Sequence, residues 1–191
     1  MEPSLPTPLP PVPDLLDPVH AFRDWRITPD GLTSPRTGVP WPDPVLAAEC
    51  HPRTAESLIS SPHRAPGRDC SCGIHGYFRP GYETSKVDYQ GVTGIIKVWG
   101  EVEIHHDGVR AQFARVEALG VYARWTRRQK AAVNDVADEL GVDLVDLHDL
   151  DEAAPRYATA VPADLVPAAA RRSRRSTHLP VPAARVLIFG G

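Results

Sequence analysis

The distribution of proline is the feature that most constrains how this chain can fold. Of its 21 prolines, sixteen lie in residues 1–80, none in residues 81–154 and five in residues 155–191. Proline has no backbone N–H and interrupts helix interiors and sheet ladders. The proline-free window is therefore predicted to hold most of the regular secondary structure.

This distribution predicts three parts of the chain. Residues 1–19 hold seven prolines and few large side chains, which is typical of a mobile, Pro-rich arm. Residues 20–155 are predicted to form a single α+β domain. Residues 156–191 return to Ala, Pro and Arg and form a tail. The apolar segment 185–189 near its end is expected to add a short edge strand or to bind a partner.

Charge and composition exclude several classes of protein. A formal net charge of −3 and a pI near 6.2 argue against general attraction to nucleic acid. The sequence contains neither an apolar run of about 18 residues nor a basic start followed by an apolar segment. Three cysteines, an odd number, do not suit a secreted disulfide framework. We therefore expect a cytoplasmic protein that does not associate with a membrane.

The middle of the chain predicts an antiparallel β-meander. Residues 92–99, 101–106 and 109–116 are rich in β-branched side chains, and Asp107-Gly108 is a strong signal for a two-residue hairpin turn. Such a turn pairs Ile104 with Ala111 and Glu103 with Gln112. The first pair belongs to an apolar face that is expected to be buried, and the second to a face that is expected to meet solvent.

One main helix is predicted after the meander. Thr126 and Gln129 have the spacing of a capping box, an apolar stripe continues to Leu140, and Gly141 is suited to a left-handed C-terminal cap. These signals predict a helix over about residues 127–140, and the apolar residues that follow it predict a short returning strand. The fold class is therefore α+β, an antiparallel β-meander with one main helix and a cysteine-rich, zinc-binding loop.

All three cysteines of the chain fall within 23 residues of one another, in a segment of turns that has little capacity to fold by itself. Cys50, Cys70 and Cys72 are accompanied there by three histidines, His51, His63 and His75. Zinc prefers thiolate and imidazole ligands in tetrahedral groups of four, and its binding contributes folding free energy directly. We therefore predict a zinc site within residues 50–75, which we call the metal loop.

His63 is the preferred fourth ligand beside the three cysteines. It lies between Pro62 and Pro66, in a short, rigid turn that can present an imidazole. His51 and His75 are the competing candidates. The single residue between Cys70 and Cys72 is a tighter spacing than the usual two to four, and Gly73 after it permits a sharp turn of the backbone.

Two other interpretations of these cysteines stay open. Free cysteines often serve as small, buried apolar residues. Alternatively, Cys72 beside His75 could be a reactive thiolate, or the zinc could activate a water molecule at an open ligand position, and either would make the protein an enzyme. A site with four protein ligands is closed and hence structural.

Two clusters of basic residues are candidates for contact with nucleic acid. The first surrounds the start of the predicted helix, where positive charge opposes the helix dipole. The second lies in the tail. Residues 135–152 hold eight acidic residues and no Lys or Arg, so pairing within the protein is an alternative role for these charges. The clusters are Arg124, Arg127, Arg128 and Lys130, and Arg171, Arg172, Arg174 and Arg175.

Three motifs resemble those of a group of bacterial and phage proteins. They are Cys70-Ser71-Cys72-Gly73-Ile74, the segment 92–100, which has the pattern VxGxxxxWG, and Gly108-Val109-Arg110-Ala111. In these motifs the chain resembles small uncharacterised proteins of actinobacteria and their phages, over about residues 41–150. The resemblance implies no particular activity, and it implies that the two ends are peculiar to this chain.

Together these features favour a non-enzymatic binding or adaptor module that a structural zinc site stabilises. A protein partner, bound through the Pro-rich and apolar arms, is the first expectation. The alternatives are a regulatory protein that contacts nucleic acid through its arginines, and an enzyme that uses Cys72 or a zinc-bound water.

Overall fold

The computed structural model of the protein shows a mostly antiparallel β-sheet with helices packed against it. The predicted α+β class, with its antiparallel strands and one main helix, is confirmed. The structure describes residues 14–15, 17–50, 63–67, 70–81, 91–168 and 185–188. No helix in these residues is both long and apolar enough to cross a membrane.

Ten strands and two α-helices are found in the described part of the chain. The strands are β1 (Asp14–Leu15), β2 (Val19–Thr28), β3 (Gly31–Thr33), β4 (Pro40–Trp41), β5 (Val45–Ala47), β6 (Ile74–Tyr77), β7 (Gly91–Ile104), β8 (Gly108–Val121), β9 (Asp143–Asp146) and β10 (Arg185–Ile188). The helices are α1 (Arg127–Leu140) and α2 (Leu150–Ala153), and short 3₁₀ segments span Leu147–Asp149, Ala154–Arg156 and Ala163–Leu165.

The long strands β7 and β8 organise the sheet. β2 pairs with β7, β6 pairs with β8, and a single pair between Phe22 and Tyr77 joins β2 to β6. These pairings close a ring of four strands. Along its other edge, β8 pairs in succession with β6, β5 and β9, of which only β9 is parallel to it.

The ends of the described chain also contribute to the sheet. β10 pairs antiparallel with β7, and β1 pairs parallel with β10. Val186 and Ile188 of β10 are buried in the core. The sheet therefore includes two short segments outside residues 20–155.

The core is built from the inner faces of the strands and one face of α1. Trp25 and Trp41 are buried in this core and meet edge to face, with ring centroids 5.5 Å apart. The buried residues of α1 are Val133, Val136, Ala137 and Leu140. The apolar core is thus formed largely by side chains outside the metal loop.

The signals that predicted α1 act as expected. The Thr126 side chain accepts a hydrogen bond from the Gln129 N–H, and the Gln129 side chain accepts one from the Thr126 N–H. Gly141 ends the helix with φ 63° and ψ 43°, in the left-handed region. The helix prediction is confirmed, and the predicted returning strand is β9.

The predicted register of the β7–β8 hairpin is wrong by two residues. Ile104 pairs with Val109 and Glu103 with Arg110, so the loop is longer than Asp107-Gly108 alone. Gly108 is instead a strand residue that pairs with Tyr77 of β6. A two-residue shift keeps every side chain on its predicted face. The partner of Glu103 is therefore an arginine, which the sequence analysis did not foresee.

The face of the hairpin that was expected to meet solvent is also buried. Glu103, Arg110 and Gln112 are only 8%, 7% and 7% exposed. Arg110 bonds to the backbone carbonyls of Gly67 and Cys70, which places this part of the metal loop over the face. The polar pattern of these strands thus marks a buried polar contact with the loop.

Candidate metal centre

The pairing of β8 with two different strands brings the ligand-bearing segments together. β5 pairs with residues 113–115 of β8, and Cys50 follows three residues after β5 ends. β6 pairs with the adjacent residues 108–111, and Cys70 and Cys72 precede it directly. Both cysteine segments are therefore attached to neighbouring positions along one strand, although twenty residues of chain separate Cys50 from Cys70.

Four candidate ligand atoms converge at this point. The Sγ atoms of Cys50, Cys70 and Cys72 and a ring nitrogen of His63 all lie within 4.8 Å of one another. The Cys50 and Cys70 sulfurs are 3.6 Å apart, and His63 Nε2 is 3.3 Å from the Cys72 sulfur. The predicted four residues are thus brought together as a Cys₃His cluster that could bind a metal ion.

These separations suit a tetrahedral metal ion. With Zn–S bonds of about 2.3 Å, two thiolates on a tetrahedral zinc ion stand about 3.8 Å apart. The observed sulfur–sulfur distance of 3.6 Å is close to that value. The three cysteines are free thiols and half-buried, so each sulfur is available as a ligand. The donor set, three soft sulfurs and one imidazole, is one that zinc prefers.

Without a metal, the three thiols have unequal affinities for protons. Burial raises the pKa of Cys50 to about 11, and the neighbouring Cys70 adds to the effect. Burial also opposes ionisation of Cys70, but hydrogen bonds from the Cys72 backbone and the surrounding side chains outweigh it and lower its pKa to about 7. Burial raises the pKa of Cys72. The cluster therefore holds one thiolate readily and resists further negative charge until a cation arrives.

Gly67 is packed tightly against the ligands. Its N–H donates to the Cys72 sulfur at 3.2 Å. A Cβ atom at this position would lie 2.5 Å from Cδ2 and 2.6 Å from Nε2 of the His63 ring. A larger residue here would displace the imidazole from its observed position, so glycine permits this close approach. This residue was not singled out by the sequence analysis, and its place in the Pro66-Gly67 turn was the available signal.

His75, the competing fourth ligand, lies outside the cluster. It belongs to β6, and its Nε2 is 3.1 Å from the carbonyl oxygen of Ser71. His51, the other competitor, lies outside the described residues. The backbone carbonyl of His75 accepts a hydrogen bond from the Arg23 guanidinium at 2.5 Å, which attaches β6 to β2.

Arg110 and Glu103 also lie beside the site, and no role at the site was predicted for either from the sequence. The Arg110 guanidinium forms a salt bridge with the Glu103 carboxylate and donates to the carbonyl oxygens of Cys70 and Gly67. The sequence signal was an acidic and a basic residue that can pair across a hairpin. The two-residue error in register concealed it.

The basic residues near α1 lie apart from the metal cluster in sequence and contact their own surroundings. The Arg124 guanidinium lies 4.8 Å from the centroid of the Tyr122 ring, and Lys130 Nζ donates to the Ala123 carbonyl at 2.9 Å. Arg127 and Arg128 are exposed in the first turn of α1. The tail arginines, Arg171, Arg172, Arg174 and Arg175, lie outside the described residues, and contact with nucleic acid stays a prediction.

Comparison with known proteins adds no family to these observations. No family model, no curated protein and no solved structure matches the chain. The resemblance to actinobacterial and phage proteins also stays a prediction. What the site does is therefore inferred from its own geometry.

Proposed function

We propose that Cys50, His63, Cys70 and Cys72 bind one zinc ion, and that this ion has a structural role. The observation that carries the proposal is the convergence of three sulfurs and one imidazole nitrogen within 4.8 Å. Four protein ligands fill a tetrahedral shell and leave no position for a water molecule or a substrate. A closed shell favours structure over catalysis.

The surroundings of Cys72, the candidate nucleophile, support a role as a ligand more than a role as a nucleophile. A reactive cysteine needs a base that can take its proton and an accessible sulfur. The Gly67 N–H donates to the Cys72 sulfur and favours its thiolate, but burial outweighs this hydrogen bond and raises the pKa of the thiol. His75, the base expected for such a mechanism, is engaged with the Ser71 carbonyl. The imidazole that reaches the Cys72 sulfur, at 3.3 Å, is His63, which belongs to the proposed ligand set.

We further propose that the protein is a non-enzymatic binding or adaptor module with a protein partner. Trp99 and Phe113 stack with ring centroids 5.8 Å apart, and both are partly exposed. Ala47 is the cross-strand neighbour of Phe113 on β5, three residues before Cys50, so this apolar surface adjoins the metal loop. Partly exposed aromatic residues are enriched in protein interfaces. The free thiols of the cluster suit the reducing cytoplasm.

The test compares two histidine variants of the full chain. Purified under reducing conditions, the wild-type protein is expected to contain one zinc ion per chain by elemental analysis. His63→Asn should lose most of the zinc because it removes a ligand, whereas His75→Asn should retain it because His75 lies outside the cluster. Absence of zinc from the wild-type protein, or equal zinc content in the two variants, would overturn the assignment.

A further inference from the structure

We propose that Arg110, held by Glu103, is the positioning residue of the metal site: its guanidinium fixes the backbone of the metal loop so that the ligands converge. The inference rests on the proposed function and adds to it the residue that orders the site. The hydrogen bonds of the Arg110 guanidinium go to Glu103 and to the main-chain carbonyls of Cys70 and Gly67, not to the four ligand atoms. Arg110 acts through main-chain groups.

Arg110 and Glu103 form a buried ion pair. Arg110 is 7% and Glu103 is 8% exposed, and they are cross-strand partners on β8 and β7. The Arg110 Nε donates to Glu103 Oε2 at 3.0 Å, and Nη2 donates to the same oxygen. A buried guanidinium is costly unless it is paired. Glu103 supplies the charge and fixes the plane of the guanidinium.

The remaining N–H groups of Arg110 donate to the backbone of the metal loop. Nη1 donates to the carbonyl oxygen of Cys70, and Nη2 donates to that of Gly67 at 3.0 Å. The two residues are also joined directly by a backbone hydrogen bond, from the Cys70 N–H to the Gly67 carbonyl at 3.3 Å. The planar guanidinium of a single side chain therefore binds both Gly67 and Cys70. Lysine, with one compact ammonium group, lacks the planar fork that makes this possible.

The two residues whose carbonyls Arg110 binds, Gly67 and Cys70, contact or include three of the four ligands. Cys70 is held directly by its own carbonyl. Gly67 donates its N–H to the Cys72 sulfur and packs against the His63 ring. The Arg110 guanidinium thus contacts Cys70 directly, and it reaches Cys72 and His63 through Gly67.

The absence of a side chain at Gly73 also leaves space for the Arg110 side chain. Gly73 has φ +126°, and a Cβ atom there would lie 2.5 Å from Cγ of Arg110 and 3.3 Å from Cβ of Pro66. Glycine at this position lets the arginine pass beneath the loop. The tight Cys70-Ser71-Cys72-Gly73 spacing and the burial of Arg110 are therefore parts of one arrangement.

The experiment measures Co²⁺ binding by the full chain, because tetrahedral cobalt gives ligand-field absorption that reports on geometry. Arg110→Met should weaken Co²⁺ binding by about 10- to 100-fold, the usual effect of removing an outer contact of a metal site, and should change the ligand-field bands. Arg110→Lys should recover only part of the affinity. Circular dichroism should show that the sheet is retained.

Arg115→Met is the matched control. Arg115 lies on the same strand, but its side chain is 44% exposed and 3.8 Å from Glu117. This variant should bind Co²⁺ with wild-type affinity and spectrum. If Arg110→Met does not fold, Arg110→Lys decides: weaker binding with altered bands supports the inference. Wild-type affinity and spectrum in a folded Arg110 variant would overturn it. Failure of the wild-type protein itself to bind Co²⁺ would instead contradict the proposed metal site.

Discussion

The ionisation of Cys70 sets how pH acts on the metal site. Hydrogen bonds around this thiol overcome the effect of burial and lower its pKa to about 7, while burial raises the pKa of Cys50 to about 11 and raises that of Cys72. A metal ion binds the thiolate form, so binding displaces a proton from every thiol that is still protonated. Metal affinity must therefore rise with pH.

We predict two regimes of pH dependence. Between pH 7 and 8, Cys50 and Cys72 still carry protons and Cys70 increasingly does not, so the apparent zinc affinity should rise by about two log units per pH unit. Below pH 7 the rise should be steeper because Cys70 also gives up its proton. Competition titrations with a chromophoric chelator at several pH values measure this slope. An affinity that is constant from pH 7 to 8 would contradict the assignment of thiol ligands.

At the residue scale, sequence predicts ligand chemistry better than it predicts the groups behind the ligands. Cys70, Cys72 and His63 were recognisable because their side-chain types and their turn-rich surroundings carry the signal themselves. Arg110 and Gly67 act through backbone carbonyls and close approach. Those roles depend on which face of the strands the loop covers, and the spacing of residues in the sequence does not predict that face.

The part of the metal loop that precedes β6 and the sheet are distinct elements with different sources of stability. The sheet has an apolar core of its own, which includes Trp25, Trp41 and Leu119. The loop is held by Arg110, by a few hydrogen bonds and, in the proposed function, by the metal. We therefore expect metal removal to loosen the loop before it affects β7 and β8.

Hydrogen exchange of the intact chain measures this difference. At a free zinc concentration of about 100 times Kd, binding stabilises the closed loop by about 2.7 kcal/mol, equivalent to roughly 100-fold slower exchange. Chelation should therefore speed exchange of the Gly67 and Cys70 amides, which bond within the loop. The Val142 amide, bonded to the Ala137 carbonyl at the end of α1, is the control and should not change. Equal acceleration at all three amides would show that the loop is not a separate element.

Elements specified by local signals were predicted accurately. The helix α1 begins and ends where Thr126 and Gly141 indicate, because capping depends on residues within one turn. The register of β7 and β8 was predicted wrongly by two residues, because Gly108 is a strand residue that pairs with Tyr77 of a third strand, β6. A hairpin signal cannot include a strand that lies thirty residues away in sequence.

For the molecule as a whole, the metal centre is a consequence of sheet topology. β5 and β6 pair with adjacent stretches of β8. Cys50 follows β5, and Cys70 and Cys72 precede β6. The closure of the strand ring by Phe22 and Tyr77 holds β6 in that place. The sequence contained the ligands, but only the strand order explains why Cys50 meets Cys70 and Cys72. β1 and β10 join the same sheet from the ends of the described chain.

The central claim is that this topology builds a Cys₃His zinc site. X-ray absorption at the zinc edge of the purified full chain tests it most directly, because the signal reports the number and type of ligand atoms. The expected result is one zinc ion with about three sulfur ligands at roughly 2.3 Å and one nitrogen ligand at roughly 2.0 Å. A protein that contains no zinc, or zinc bound mainly by oxygen, would contradict the claim.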